Sequence, residues 1–265
     1  MRHARTAVVG CPLLAVAMLC LLWQAPAAAP GAAARDPHRY VQVGDFDFST
    51  LLGGPPADNS PEHRAEIATM LYLQNRRTEQ DVARCRQEAN QINVWLFANV
   101  LGDDFNKVSH PLTAALFEDV RNEVRPIVLA AKAKWDRPRP YRSIPEIHPC
   151  VHLETGASFP SGHATLGMLW ATVLAEIFPE QREAIMARGR QIGQDRFIAG
   201  VHYPSDVAAG QKLGAEIARR LLANRDFRIE LDSVRREWGR AGTEAAPVID
   251  SMGDATTLPA AATMP

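Results

Sequence analysis

Three short blocks carry the residues able to do chemistry. They are Lys132-Ala-Lys-Trp-Asp-Arg-Pro-Arg139-Pro140, then Pro160-Ser161-Gly162-His163, then Arg196-Phe-Ile-Ala-Gly-Val-His202-Tyr-Pro-Ser-Asp206. Together they supply three cations, two histidines, a hydroxyl, a glycine amide and a carboxylate. Phosphate-ester hydrolysis needs a nucleophile, a proton donor for the leaving alkoxide, and positive groups around the equatorial oxygens. Lys132, Arg139 and Arg196 can be those positive groups: arginine offers a planar fork to phosphate oxygens, lysine a point charge. His202 and Asp206 stand four residues apart, with Pro204 suited to the first position of a helix. That spacing lets the carboxylate reach His202 Nδ1, fix the tautomer and leave Nε2 as a nucleophile. Each feature alone has a plainer reading: solvated cations before a Pro-rich loop, a structural histidine at a helix start, a His-Asp capping pair. The three blocks together favour the chemical reading. Arg137-Pro138 competes with Arg139-Pro140 for the first block, but seven residues before Arg137 stands Ala130, not a lysine.

Helices must position these groups. Ser60-Pro61-Glu62 and Thr78 with Asp81 are helix starts, and Val82, Cys85, Ala89, Ile92 and Leu96 recur at steps of three and four up to Gly102. Leu112, Leu116, Val120, Val124 and Val128 follow at steps of four, with Pro126 expected to kink or interrupt that helix and Lys132 near its end. After Pro-Ser-Gly-His, the run from Ala164 to Ile177 is apolar on nearly every face and must be central to the core. Ser161, Gly162 and His163 therefore sit at the N-terminus of a buried helix, where free amides and the helix dipole favour an anion. Arg182–Arg196 and the stretch opened by Pro204-Ser205-Asp206 are also helical, and no period-two alternation argues for a sheet. The expected fold is all-α: one multi-helix bundle over residues 60–238, built round the helix after Pro-Ser-Gly-His.

The set Lys-x6-Arg-Pro, Pro-Ser-Gly-His and Arg-x5-His-x3-Asp resembles the type 2 phosphatidic acid phosphatase superfamily, and within it the exported bacterial class A non-specific acid phosphatases. The resemblance extends to Leu51–Ser60 and covers roughly Asp45 to Leu222. It implies that His202 is the nucleophile forming a phosphohistidine, that Asp206 orients it, and that His163 protonates the leaving group. It implies phosphate binding by Lys132, Arg139, Ser161, Gly162 and Arg196, substrates that are small-molecule phosphate monoesters, and no metal or other cofactor. Two positions depart from the pattern: Asp195 stands where serine is usual, and Ala164 where threonine is frequent. Selectivity for the leaving group is expected in loops such as Ser143–Ala157. A vanadium-dependent haloperoxidase, which shares the three blocks, is the nearest alternative, and a non-catalytic anion-binding protein the remote one.

The remaining sequence bears on compartment and partners. Arg2, His3 and Arg5 precede an apolar stretch of 16 residues, Val8 to Trp23, and an Ala-rich run to Ala34. This is the pattern of a cleavable signal peptide (residues 1–34) and of a periplasmic or secreted protein, with a retained anchor as the other reading. Residues 35–59 read as an extended lead-in and 239–265 as a disordered tail. With a formal net charge of −1, nothing suggests a nucleic-acid partner, which would need a concentrated basic face. Cys85 and Cys150 remain after signal removal, as either a disulfide or two buried thiols. A homo-oligomer is left open.

Overall fold

The structure, a computed structural model, describes residues 39–239. The expected signal peptide and nearly all of the expected C-terminal tail lie outside the described residues. Among those described there is no strand, and no helix is long and apolar enough to cross a membrane. The α-helices are α1 (Phe48–Leu52), α2 (Pro61–Gln74), α3 (Glu79–Asn90), α4 (Ala98–Leu101), α5 (Pro111–Trp135), α6 (Pro140–Ser143), α7 (Gly162–Ile177), α8 (Arg182–Ile198), α9 (Pro204–Ala223) and α10 (Arg225–Glu237).

Helix α7 is the axis of the bundle, with Ala164, Leu169, Trp170, Ala171, Val173, Leu174 and Ala175 all buried. It packs chiefly against α8 and α9. The α7–α9 approach is close because α9 presents glycine: a Cβ at Gly214 would fall 2.2 Å from the Thr165 carbonyl oxygen, and one at Gly210 would fall 2.4 Å from that of Ser161. The same contact joins the two helix starts, since the Ser161 amide donates to the Asp206 carbonyl at 2.8 Å. The second and third sequence blocks are thereby held side by side.

Four features differ from the sequence expectation. Helix α5 runs unbroken through Pro126, although an interior proline costs about 3 kcal/mol. Val120, Val124, Ile127, Val128 and Ala131 bury the flanking turns, and each large apolar side chain returns ~1.5–3 kcal/mol. Helix α3 stops at Asn90 rather than Gly102; Asn93 then caps a 3₁₀ turn, Val94–Phe97, through its Oδ1 to the Trp95 amide, and α4 follows. The lead-in is not simply extended: it holds a 3₁₀ turn (Val43–Asp45) and α1, and it buries Tyr40, Val41, Phe46 and Phe48 in the main core. Helix α10 has no counterpart among the expected helices. It buries Phe227, Leu231 and Val234 in the main core, while its Glu237 accepts from the Leu112 and Thr113 amides at the start of α5.

Candidate active site

The eight residues singled out in the three blocks come from five helices and the loop before the last of them, and meet at one place. Lys132 lies in the last turn of α5, which Asp136 closes in the left-handed region at φ 41°. Arg139 caps α6, Ser161 caps α7, Arg196 lies in the last turn of α8, and Asp206 is in the first turn of α9. Ser161 Oγ accepts from the Ala164 amide, leaving the Gly162 and His163 amides at positions where a helix has no acceptor of its own. The loop before α7 is strapped down by the site's cations. Lys132 Nζ donates to the Ala157 carbonyl (2.5 Å) and the Ser158 carbonyl (3.2 Å), and Arg139 Nε donates to that of Gly156 (2.9 Å).

His202 is buried. Arg139 Nη1 lies 3.2 Å from its Nε2. Arginine has only donors, so Nε2 is the accepting nitrogen and the proton sits on Nδ1. Asp206 Oδ2 is 3.5 Å from Nδ1, longer than a good hydrogen bond. Its shorter bonds come from Ser158 Oγ (2.5 Å) and the Tyr203 amide (2.8 Å), and Ser158 Oγ itself is 3.4 Å from Nδ1. The orienting group for His202 is therefore Ser158 and Asp206 together, and Ser158 is a residue the sequence reading does not contain. Burial, then the charges of Arg139, Lys132 and Arg196, hold the His202 imidazolium well below the ordinary histidine range.

His163 is the second residue of α7. Its ring is hydrogen-bonded to the Glu88 backbone, and its Nε2 is buried without a partner. Burial and Arg196 push its pKa well below the usual value. Burial also brings Lys132 down to about 8. Arg196 Nε and Nη1 are likewise buried and unpartnered, while its Nη2 donates to Glu154 Oε1 at 3.0 Å. Buried polar groups are almost always paired. The two cationic N–H groups of Arg196 are thus able to donate to a bound anion.

The structure gives Arg137 a separate role from Arg139. Its guanidinium donates to Asp206 Oδ1 (2.7 Å), Ser205 Oγ (2.8 Å) and Glu66 Oε2 (3.0 Å), and it stacks 3.8 Å over the Tyr203 ring. Asp195, the departure before Arg196, is buried. It accepts two bonds from Arg84, at 2.7 and 2.8 Å, which neutralise its charge rather than dilute that of Arg196. Beside it lies Glu88, which burial and Asp195 push up to about 7 and which pairs with Arg188 at 2.7 Å. Of the two readings of the cysteine pair, the structure shows free cysteines, Cys85 buried and Cys150 partly so. Cys85 Sγ donates to the Asp195 carbonyl at 3.4 Å. The two side chains share a hydrogen bond that pushes Cys85 up and Cys150 down to about 6.

Comparison with known proteins agrees with this geometry. Residues 115–229 match the PAP2 superfamily, a span that contains every site residue from Lys132 to Asp206. An acid phosphatase of Zymomonas mobilis is 35% identical over 120 residues, 43% of this chain and 45% of that protein. A non-specific acid phosphatase of Providencia stuartii is 32% identical over 136 residues, 49% of this chain and 53% of that protein. One from Salmonella typhimurium is 42% identical over 85 residues, 32% of this chain and 34% of that protein. The chain thus spans about half, or less, of the length of the curated relatives it matches. Over residues 115–229 the chain is thus similar to the PAP2 superfamily, and over comparable stretches to non-specific acid phosphatases.

Proposed function

We propose that the protein is an exported acid phosphatase that hydrolyses small phosphate monoesters through a phosphohistidine on His202, without a metal. The observation that carries this reading is a buried His202 whose Nε2 faces Arg139 Nη1 at 3.2 Å, among the charges of Arg139, Lys132 and Arg196, with Arg196 Nε and Nη1 left unpartnered.

In the first step His202 Nε2 attacks phosphorus and the ester oxygen leaves, taking a proton from His163 Nε2. Nδ1–H remains on His202, held by Ser158 and Asp206, which offset the charge that the ring gains. In the second step water attacks the phosphohistidine, gives a proton back to His163 and releases orthophosphate. Arg139, Arg196, Lys132 and the first amides of α7 stabilise the charge spread over the equatorial oxygens, work that a divalent ion does in other phosphatases. The free site keeps both imidazoles neutral, as a nucleophile requires; the dianionic substrate supplies the negative charge that lets His163 bind its proton. Export follows from the signal-like N-terminus.

The test is a panel of aryl and alkyl phosphomonoesters, nucleotides and lipid phosphates assayed in EDTA, with acid-labile, base-stable phosphoprotein trapped by quenching. Hydrolysis that survives chelation and a phosphohistidine absent from His202→Ala are expected. Activity lost to EDTA and restored by one divalent ion would overturn the mechanism. Peroxide-dependent halogenation with vanadate, in place of hydrolysis, would overturn the phosphatase reading.

A further inference from the structure

Glu154 stands in the loop between α6 and α7, and its carboxylate bridges the two phosphate-site arginines. Oε2 is 2.6 Å from Arg139 Nη2 and Oε1 is 3.0 Å from Arg196 Nη2. Both arginine side chains are 1% exposed, whereas that of Glu154 is 32% exposed, so the carboxylate lies between the guanidiniums and solvent. We propose that Glu154 is the pocket's own anion, occupying the place of two phosphate oxygens in the free protein and yielding it when a phosphate group binds. The proposal rests on the phosphate reading of the pocket, not on hydrolysis.

Three observations support displacement over a fixed support. First, the carboxylate does not satisfy the site: Arg196 Nε and Arg196 Nη1 stay unpartnered although Nη2 is bonded to it. A tetrahedral anion with four oxygens can take both Nη2 groups and these donors, and two oxygens cannot. Second, the movement needed is small. Tyr141 Oη (2.6 Å) and Arg142 Nη2 (3.3 Å) hold the Glu154 carbonyl, and Arg142 also holds that of Thr155 (2.9 Å). The backbone is pinned, and the part-exposed side chain need only turn outward into water. Third, a carboxylate kept between the two arginines would face a bound phosphate as a like charge at close range, which disfavours both occupying the site.

The placeholder has a use. It keeps two desolvated guanidiniums paired in the free protein, where unpaired buried charge is costly. It also sets a threshold for ligands. A singly charged two-oxygen anion only exchanges like for like, whereas a phosphate monoester offers more oxygens and more charge. The pocket thereby selects phosphate groups over carboxylates, and binding is weakened by the fraction of molecules in which Glu154 is in place.

The experiment is orthophosphate titration, followed calorimetrically, of the wild-type protein and of Glu154→Gln and Glu154→Asp, each checked for folding by circular dichroism. Glu154→Gln is expected to bind orthophosphate about tenfold more tightly. Product inhibition should tighten and KM for an aryl phosphate should fall in parallel, while kcat does not rise. Glu154→Asp, one methylene shorter and unable to span both arginines, should shift in the same direction by less, and it carries the test if the glutamine variant does not fold. Unchanged or weaker orthophosphate binding in the folded variants would mean that Glu154 is a fixed prop for the arginines, and would overturn the proposal. Tighter binding without hydrolysis by any variant would overturn the phosphatase reading and leave this one standing.

Discussion

Removing Arg137 isolates what holds the nucleophile's partner in place. Its guanidinium is 5% exposed and pairs with two buried carboxylates, Asp206 and Glu66. Each charge-assisted hydrogen bond of this kind contributes about 1.5–3 kcal/mol, so two give roughly 3–6. Breaking a buried ion pair from one side costs about 3–5 kcal/mol, because the partner is left uncompensated. Arg137→Ala should therefore destabilise the folded protein by about 3–5 kcal/mol. At ~2–4 °C per kcal/mol for a domain of this size, Tm should drop by about 6–20 °C in a thermal melt. Arg137→Lys, a point charge that can reach only one of the two carboxylates, should recover part of the loss. Adding Glu66→Gln to Arg137→Ala removes one stranded charge and should also recover part of it, a coupling within the ~0.5–3 kcal/mol range of contacting pairs. In variants that remain folded at the assay temperature, kcat should fall, since Asp206 loses the bond that fixes its Oδ1, while KM changes little. An Arg137→Ala protein melting within 2 °C of wild type would show that water already satisfies these carboxylates, and the reasoning would fail.

Three further outcomes follow from the same geometry. His202→Ala should abolish hydrolysis of every ester, while His163→Ala should damage alkyl phosphates most and partly spare aryl esters with good leaving groups; equal losses on both would remove His163 from the acid role. Because burial and neighbouring arginines depress both histidines, the unfolded chain takes up protons below about pH 6.5 that the folded one refuses. Folding stability should then decline as pH falls from 7.5 to 5, by up to about 1.4 kcal/mol per pH unit for each histidine, less steeply in variants lacking one of them; identical slopes in those variants would refute the cause. Cys150, pushed down to about 6, should react with iodoacetamide at pH 7 well before Cys85, which is buried and pushed up, and equal rates by peptide mass analysis would mean that the two thiols do not share a hydrogen bond.

What was legible in the sequence depended on distance along the chain. Motif spacing reached His163, His202 and Asp206 because each sits at or next to a helix start that proline or serine announces. The all-α character followed from 3.6-residue periodicity, strongest in the wholly apolar α7. At Pro126 the helix is not interrupted, since burial on both sides outweighs one lost hydrogen bond, and the same rule overran Asn90, where apolar spacing continues but capping side chains begin new turns. Local pattern sets a preference, and tertiary burial decides close cases.

The groups that spacing could not reveal are those that act across the fold. Arg137 meets Glu66 at a separation of 71 residues, Arg84 meets Asp195 at 111, and Arg196 meets Glu154 at 42. No local period links such pairs, and each member alone reads as an ordinary surface charge. A balance of charge does point towards them. Burying Lys132, Arg139 and Arg196 together is costly unless anions compensate, and within the three blocks Asp206 is committed to Arg137 and Ser158. Glu154 meets that requirement at Arg139 and Arg196, from a loop where sequence alone placed only selectivity. Arg84 answers the matching requirement created by Asp195, so the substitution of the usual serine is balanced in place rather than at the phosphate. A buried charge in a motif thus implies a counter-charge elsewhere in the chain. Here the counter-charges occupy the parts of the sequence least like a motif.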